Sequence, residues 1–212
     1  MGNYSQIYSR LHSVDGVGGL AHFTALAGAE YGGRAVRLLV IGRAANGWTQ
    51  LPVGSAREFG EAAEAAFRTS GFSWVGCENG RLYSLHGAGR RYWLSRSAFW
   101  RAARRVLYGL DGGRLPERWV ERIAWSNLYK LSPLGSGNPS NRLCAAQIEP
   151  CRELLREEIL ALRPTHILMP VGLGWFRGDG RYDFSRLFEA VTPGVIAVEA
   201  TARFRLPDGT AT

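Results

Sequence analysis

Two segments of the chain place amide and cationic side chains directly after apolar runs. They are Gly42-Arg43-Ala44-Ala45-Asn46-Gly47-Trp48 and Trp125-Ser126-Asn127-Leu128-Tyr129-Lys130. An asparagine amide offers both a hydrogen-bond donor and an acceptor, and an arginine guanidinium can hold a phosphate through two parallel hydrogen bonds. Such side chains can recognise a polar, flat or phosphorylated ligand, provided that the fold brings the two segments together.

The charge of the chain favours a polyanionic partner. The net charge is +8 and the pI is about 9.9. Lys130 is the only lysine, so nearly all of the positive charge is on arginine, which forms bidentate contacts with phosphate and stacks on flat rings. A coding bias from a GC-rich genome explains the ratio of arginine to lysine, but it does not explain the excess of positive charge.

The cysteines and the apolar runs exclude several classes of protein. Cys77, Cys144 and Cys151 show no Cys-x-x-Cys spacing, so we expect no zinc site, no iron–sulfur cluster and no other cofactor. We expect a cytoplasmic protein without membrane contact. The thiols are expected to be reduced, the start of the chain does not resemble a signal peptide, and every apolar run is too short to cross a bilayer.

The hydrophobic pattern predicts alternating helices and strands. Helices are predicted over residues 3–12, 20–29, 55–68, 98–110, 145–162 and 184–191. Strands are predicted over residues 36–42, 122–128, 165–171 and 195–201, and a short hairpin is predicted around Glu78-Asn79-Gly80. Ser55 and Glu58 form a capping-box pattern, and Ser97 is a predicted N-cap.

This alternation favours an α/β fold, a three-layer α/β/α sandwich with a central, mostly parallel four-stranded sheet. We expect one domain over residues 1–212, with residues 1–35 as a helical segment packed on it and residues 207–212 as a frayed tail. Ligands of such sheets bind at the carboxyl ends of the strands. The loops after Ile41, Leu128, Val171 and Val198 should therefore share one rim.

Several segments also occur in the order and spacing of one known superfamily. They are residues 40–47, Ser97-Ala98-Phe99-Trp100-Arg101, residues 123–130, Gly137-Asn138-Pro139-Ser140-Asn141-Arg142 and the stretch from Cys151 to Gly172. Through them the chain resembles the uracil-DNA glycosylase-like superfamily over most of residues 36–175. The resemblance implies that superfamily's fold and the hydrolysis of the N-glycosidic bond of a base flipped out of DNA.

The chain departs from the superfamily's pattern at the positions nearest the chemistry. Ala44 stands where the superfamily often has the Asp or Asn that positions water, and Ala45 stands at its proline. Arg43 stands where the iron–sulfur branch has a glutamate, and Arg203 falls near the late histidine. Because of these departures, we expect a damaged or modified base as the substrate and not plain uracil. The biological role can then be either DNA repair or antiviral defence against phage DNA.

The resemblance also implies roles for individual residues. Asn127 would read the base edge, with a cap of the next loop as the alternative. Arg203 would direct positive charge at the departing base, with an ordinary surface arginine as the alternative. Asn46 either orients water at the sugar or forms a turn with Gly47, and Arg43 contacts the base, a phosphate or a surface carboxylate. Trp48 and Phe72 are candidate stacking rings, with a place in the core as the alternative.

Contacts with the DNA backbone are expected from short polar and basic side chains on the same rim. The candidates are Ser97, Lys130, Ser136, Asn138, Asn141, Arg90 and Arg91, any of which can also be an ordinary solvated residue. The superfamily uses the position of Lys130 without Schiff-base chemistry, so a monofunctional glycosylase without lyase activity is expected.

Three hypotheses follow. The first is a metal-independent, monomeric DNA glycosylase that acts on a flipped base in duplex or single-stranded DNA, with ordinary uracil repair as a variant. The second is a catalytically inactive DNA-binding member of the same fold. The third is a nucleotide- or cofactor-binding α/β domain whose Gly42–Gly47 loop holds a phosphate, although that loop matches neither Gly-x-Gly-x-x-Gly nor a Walker sequence.

Overall fold

The computed structural model of the chain describes residues 3–44, 51–69, 71–86, 90–135, 137–178, 183–195, 198–209 and 212. Three predicted site residues, Asn46, Trp48 and Ser136, lie outside the described residues, as does the side chain of Arg90. Within the described part of the chain, no helix is long and apolar enough to cross a bilayer.

The protein is a mixed α/β fold. The helices are α1 (Tyr4–Ser9), α2 (Ala56–Thr69), α3 (Ala98–Leu110), α4 (Asn141–Leu162) and α5 (Leu173–Arg177). The strands are β1 (Leu20–His22), β2 (Leu26–Ala27), β3 (Leu38–Ala44), β4 (Val75–Glu78), β5 (Arg81–His86), β6 (Arg90–Trp93), β7 (Ile123–Tyr129), β8 (Leu131–Pro133), β9 (His166–Leu168), β10 (Glu189–Val195) and β11 (Val198–Arg203).

The central sheet has four strands in the order β2-β7-β3-β9. β7 and β9 both run parallel to β3, whereas the edge strand β2 is antiparallel to β7. The residues of β7 are buried throughout, which suits a strand covered on both faces and explains why its sequence reads as a continuous run. The prediction of a sheet with parallel strands is confirmed.

The strand predicted over residues 195–201 does not belong to this sheet. β11 instead pairs antiparallel with β10 in a separate hairpin, and β2 supplies the fourth strand of the central sheet. Of the helix predicted over residues 184–191, only a short 3-10 helix at Ser185–Leu187 forms, and the segment from Glu189 onward is the first strand of the hairpin. Near the C-terminus, Thr212 and Phe204 exchange two backbone hydrogen bonds of 2.8 and 2.9 Å.

The helix predicted over residues 20–29 was also wrong. This segment forms β1 and β2, and its backbone pairs with strands that lie about a hundred residues later. The N–H of Phe23 donates to the carbonyl of Lys130 at 2.8 Å, and the N–H of Gly28 donates to that of Ile123 at 2.9 Å. Tertiary pairing with β7 and β8 thus overrides the local helical pattern.

Alternate residues of β3 and β7 belong to two different core clusters. Leu39 and Ile41 join the cluster that includes side chains of α1, α2 and α4, whereas Leu38 and Val40 join the cluster that includes side chains of α3 and the β4–β6 sheet. This alternation follows from the two-residue period of a strand. Each face of the sheet is therefore covered by its own apolar layer.

Two predicted helix starts are confirmed in detail. The backbone and hydroxyl groups of Ser55 both donate to the carboxylate of Glu58, and the side chain of Ser97 caps α3, which spans the predicted residues 98–110. α4 begins at Asn141, four residues before the predicted start, because the hydroxyl of Ser140 accepts a hydrogen bond from the N–H of Leu143 at 3.2 Å.

Candidate functional site

Asn127 occupies the carboxyl end of β7, directly beside the end of β3. Its pairing partner across the parallel ladder is Gly42, and its side chain is 1% exposed. A Cβ atom on Gly42 would lie 2.3 Å from Oδ1 of Asn127 and 3.4 Å from a ring carbon of Phe99. The amide of Asn127 therefore lies against the backbone of β3, in space that is open only because residue 42 has no side chain.

The amide nitrogen of Asn127 is buried, and among the described residues it has no hydrogen-bond partner. A buried amide N–H without a partner costs about 1–3 kcal/mol, so native proteins rarely keep one without a reason. A ligand atom that accepts a hydrogen bond would remove this cost. Within the described residues, the strand ends thus hold a buried donor that no protein group engages.

Aromatic rings line the same side of the sheet. Phe99 is half-buried, and its ring centroid lies 4.9 Å from that of Trp100 and 6.0 Å from that of Trp125, the residue two positions before Asn127. Phe72, a predicted stacking ring, is 1% exposed and packs edge-on to Trp100 within the core. Phe72 is therefore a core residue, and Phe99 is the ring beside the amide.

Arg43 joins the end of β3 to the loop after β9. Its Nε donates to the carbonyl of Val171 at 2.8 Å, and its guanidinium carbon lies 5.4 Å from the ring centroid of Trp175. The side chain of Arg43 is held at both points while the residue stays exposed. Two of the predicted rim loops, those after Ile41 and Val171, are thereby brought together. The pairing of Gly42 with Asn127 places the end of β7 beside them.

Lys130 is not a surface cation, and the prediction that it contacts DNA was wrong. Its side chain and that of Glu158 are both 0% exposed, and Nζ lies 2.7 Å from the Glu158 carboxylate. The ammonium also donates to the hydroxyl of Ser126 at 2.9 Å and to the main-chain carbonyl of Asn127 at 2.8 Å. A buried ammonium needs such partners, and here they satisfy all three of its protons.

This buried network connects α4 and α1 with the strand that carries Asn127. The hydroxyl of Ser126 donates to one carboxylate oxygen of Glu158 at 2.6 Å, and the hydroxyl of Tyr4 donates to the other at 3.0 Å. Burial and the Glu158 carboxylate raise the pKa of Tyr4 well above its usual value, so this phenol stays protonated as a donor. The network fixes the backbone of β7 on either side of Asn127.

The remaining predicted DNA contacts come from three separate segments of the chain. The hydroxyl of Ser97 is used as the N-cap of α3, while Asn138 and Asn141 are exposed before and at the start of α4. Arg91 is exposed, pairs with Glu78 and stacks over the ring of Tyr83.

Arg203 lies at the end of the β10–β11 hairpin, exposed and opposite Glu189. In the described part of the chain, no hydrogen bond or ion pair joins Arg203 to the ends of the central strands. The loop after Val198, the fourth predicted member of the rim, belongs to this hairpin and not to the central sheet.

Three residues of the site were not predicted from the sequence. The sequence places Phe99 within the predicted helix 98–110 and the segment Ser97-Ala98-Phe99-Trp100-Arg101 but gives it no role, and it gives none to Ser126 or Glu158. The sequence feature that could have indicated Phe99 as a site residue is its position two residues after a helix N-cap. The signal for Glu158 is an acid at an apolar position of a helix that packs on the only lysine of the chain.

Neither a family model nor a curated protein nor a solved structure matches this chain. Among the described residues, no group of three or more His, Cys, Asp or Glu side chains is arranged to hold a metal ion. The features of the molecule that bear on function are therefore the geometry around Asn127 and the distribution of charge.

Proposed function

We propose that this protein is a DNA glycosylase that hydrolyses the N-glycosidic bond of a flipped-out, non-standard base without lyase activity. The observation that carries the proposal is the buried amide of Asn127, whose nitrogen has no partner among the described residues and which lies at the carboxyl end of a parallel strand. A base edge is a planar array of donors and acceptors, and a fixed side-chain amide is suited to read it.

The layers of the fold support this proposal. Separate apolar clusters on the two faces of the central sheet are what a three-layer α/β/α sandwich of the uracil-DNA glycosylase-like type requires. Parallel strands also leave their carboxyl ends on one edge, which is the usual ligand site of such folds.

The chemistry requires little covalent participation by the protein. The base leaves as an anion while the sugar develops positive charge, so fixed dipoles and charges supply most of the stabilisation. We assign base reading to Asn127, with Phe99 as the neighbouring ring and Arg43 as the cation at the strand end. Asn46 as the group that orients water and Arg203 as the late cation remain proposals from the sequence.

The substrate that we favour is a modified or damaged base, and among such bases we favour a pyrimidine. Ala44, Ala45 and Gly47 are small residues in the segment where the superfamily carries larger groups, and they would leave room for a substituent. A hypermodified phage cytosine would fit this idea and would imply a role in antiviral defence.

The test is abasic-site formation on oligonucleotides that carry uracil, hypoxanthine, hydroxymethylcytosine or glucosylated hydroxymethylcytosine. We expect excision of at least one base by the parent protein and a loss of at least about a hundredfold with Asn127→Ala, in line with the removal of one positioned donor. Asn3→Ala is the matched control, because Asn3 is exposed and its side chain makes no capping hydrogen bond to α1. Intact strands with every substrate at excess protein would refute the proposal.

A second candidate is a DNA-binding protein of the same fold without catalysis. It is favoured by Ala44, which ends β3 opposite Tyr129 and offers no carboxylate where the superfamily often has one. In this case, binding should be tighter to DNA that carries one of the modified bases and should weaken with Asn127→Ala, while the glycosidic bond stays intact.

A further inference from the structure

One stretch of the chain carries positive charge with no acidic residue in it. Residues 79–110 contain seven arginines and neither aspartate nor glutamate, although the whole chain has 18 acidic residues. The stretch covers β5, β6 and α3, which lie on the face of the central sheet opposite to α4. The net charge of the protein is therefore concentrated on one side.

The acids that border this stretch do not neutralise its helix. Glu78 of β4 pairs with Arg91 of β6, across the intervening strand β5, and Asp111 pairs with the buried Arg122. Both carboxylates are thus used by other arginines. These two acids therefore do not neutralise the exposed arginines in and just before α3. We call those residues the arginine face: Arg96, Arg101, Arg104 and Arg105.

None of the four arginines of this face makes an ion pair within the described residues. Arg101 donates to the carbonyls of Ser95 and Arg96, which orients its guanidinium but does not compensate its charge. Arg104 and Arg105 are exposed, and no described residue gives either a hydrogen bond or an ion pair. Neighbouring like charges on a helix repel one another, so the face carries a cost that a polyanion would remove.

The second long amphipathic surface helix shows the opposite pattern. In α2, Arg57 pairs with Glu61 at 3.1 Å and Arg68 pairs with Glu64 at 2.6 Å. Exposed arginines on this protein are therefore commonly balanced by acids one turn away. The unbalanced charge on α3 is a property of that helix and not of the composition as a whole.

The helix that carries the arginine face begins near the candidate site. Phe99, near the start of α3, would contact a Cβ on Gly42 at 3.4 Å, and Arg101 follows two residues later. At a rise of about 1.5 Å per residue, Arg101 and Arg105 are separated by about 6 Å along the helix axis. Arg101 lies about 200° around the helix from Phe99, so the face occupies the outer, exposed side of α3, with the half-exposed ring of Tyr108 beyond it.

We propose that the arginine face binds the sugar–phosphate backbone of duplex DNA next to the nucleotide held at Asn127. The assignment of that nucleotide site depends on the proposed function, whereas backbone binding by the face does not. A membrane surface fits less well, because the apolar side of α3, with Trp100, Ala103 and Leu107, is buried against the sheet. Arginine contacts to phosphate are independent of sequence, so undamaged DNA should bind as well.

The experiment measures affinity for a labelled duplex without any modified base over a range of salt concentrations. The variant Arg104→Gln/Arg105→Gln should lower the slope of log K against log salt by about 2, since each phosphate contact contributes about 0.9. The matched control is Arg57→Gln/Arg68→Gln, which removes the same formal charge from paired positions on α2. This control should keep the slope of the parent protein.

Equal slopes for the parent and the α3 variant would overturn the proposal. It would also be overturned if the α3 variant lost binding to vesicles that contain phosphatidylserine, or to single-stranded RNA, while its binding to duplex DNA stayed unchanged. Both double variants should melt near the parent temperature, because the substituted side chains are exposed. Salt-dependent binding through the face with no excision of any base would refute the glycosylase and leave this inference intact.

Discussion

Oδ1 of Asn127 lies so close to Gly42 on the neighbouring strand that a β-carbon at residue 42 would be 2.3 Å from it. The two residues are direct partners in the parallel ladder of β3 and β7. Residue 42 must therefore lack a side chain for the amide to stay where it is. Because of this close approach, a substitution at Gly42 tests the site while residue 127 remains an asparagine.

Gly42→Ala should displace the Asn127 amide and abolish excision while the protein remains folded. Alanine is tolerated in strands, so the main effect is the collision with the amide and not a change of backbone preference. Activity on the oligonucleotide panel and a thermal melt would be measured together. Gly109→Ala in α3 is the control, because nothing lies within 4 Å of a Cβ at that position and alanine is about 1 kcal/mol better than glycine in a helix.

The buried pair of Lys130 and Glu158 should be essential for stability. Lys130→Met leaves the Glu158 carboxylate in the core without its cation, and breaking such a pair costs about 3–5 kcal/mol. Urea unfolding would measure the loss. The double variant Lys130→Met/Glu158→Leu should recover part of it, since an apolar pair leaves no charge uncompensated.

An exposed ion pair provides the comparison for this experiment. Arg10 and Glu153 lie 2.7 Å apart on the surface, where each side chain is 47% exposed. Arg10→Gln should cost no more than about 1 kcal/mol, because water and salt screen exposed pairs. Similar losses for Arg10→Gln and Lys130→Met would contradict the importance that we give to the buried network.

His22 should make the protein less stable in mild acid. Burial lowers the pKa of its ring, and Nδ1 accepts a hydrogen bond from the N–H of Leu51 at 2.9 Å while Nε2 lies 2.8 Å from the carbonyl of Val17. The folded protein therefore keeps the ring neutral. The unfolded chain takes up a proton below the ordinary value of about 6.5, so the free energy of unfolding should fall as the pH falls below that value.

Urea unfolding at pH values of about 7.5 and about 5 would measure this effect. His22→Gln should reduce the difference between the two pH values, because glutamine does not titrate. The exposed His166→Gln is the control and should keep the difference, since the ring of His22 and its partners are unchanged. An identical pH dependence in the parent and His22→Gln would remove His22 from this role.

The three cysteines should react at very different rates with a thiol reagent. Burial raises the pKa of Cys151 to about 12 and also raises that of Cys144, so few thiolates form at neutral pH at these two positions. Cys77 on β4 is only half-buried. In the native protein, no more than one thiol per chain should therefore react quickly with the reagent. In the denatured protein, all three should react. Fast reaction of two or more thiols in the native state would contradict the burial of α4.

Local patterns predicted much of the framework. The capping box of α2, the cap of α3 and the apolar runs that form β3, β7 and β9 depend on neighbouring residues, so the sequence contains the information directly. The segment over residues 20–29 was misinterpreted because its pattern suits a helix locally. Its strands exist because β7 and β8 offer backbone partners about a hundred residues away.

By itself the sequence determined an α/β fold with parallel strands, a strongly basic chain and two strand ends with amide side chains. Only the tertiary structure decided which of these residues meet. It removed Lys130 from the surface by bringing Glu158 to it, and it brought the amide of Asn127 against Gly42. Burial and contact between distant residues depend on how the layers pack, and residue types and spacing along the chain do not specify that packing.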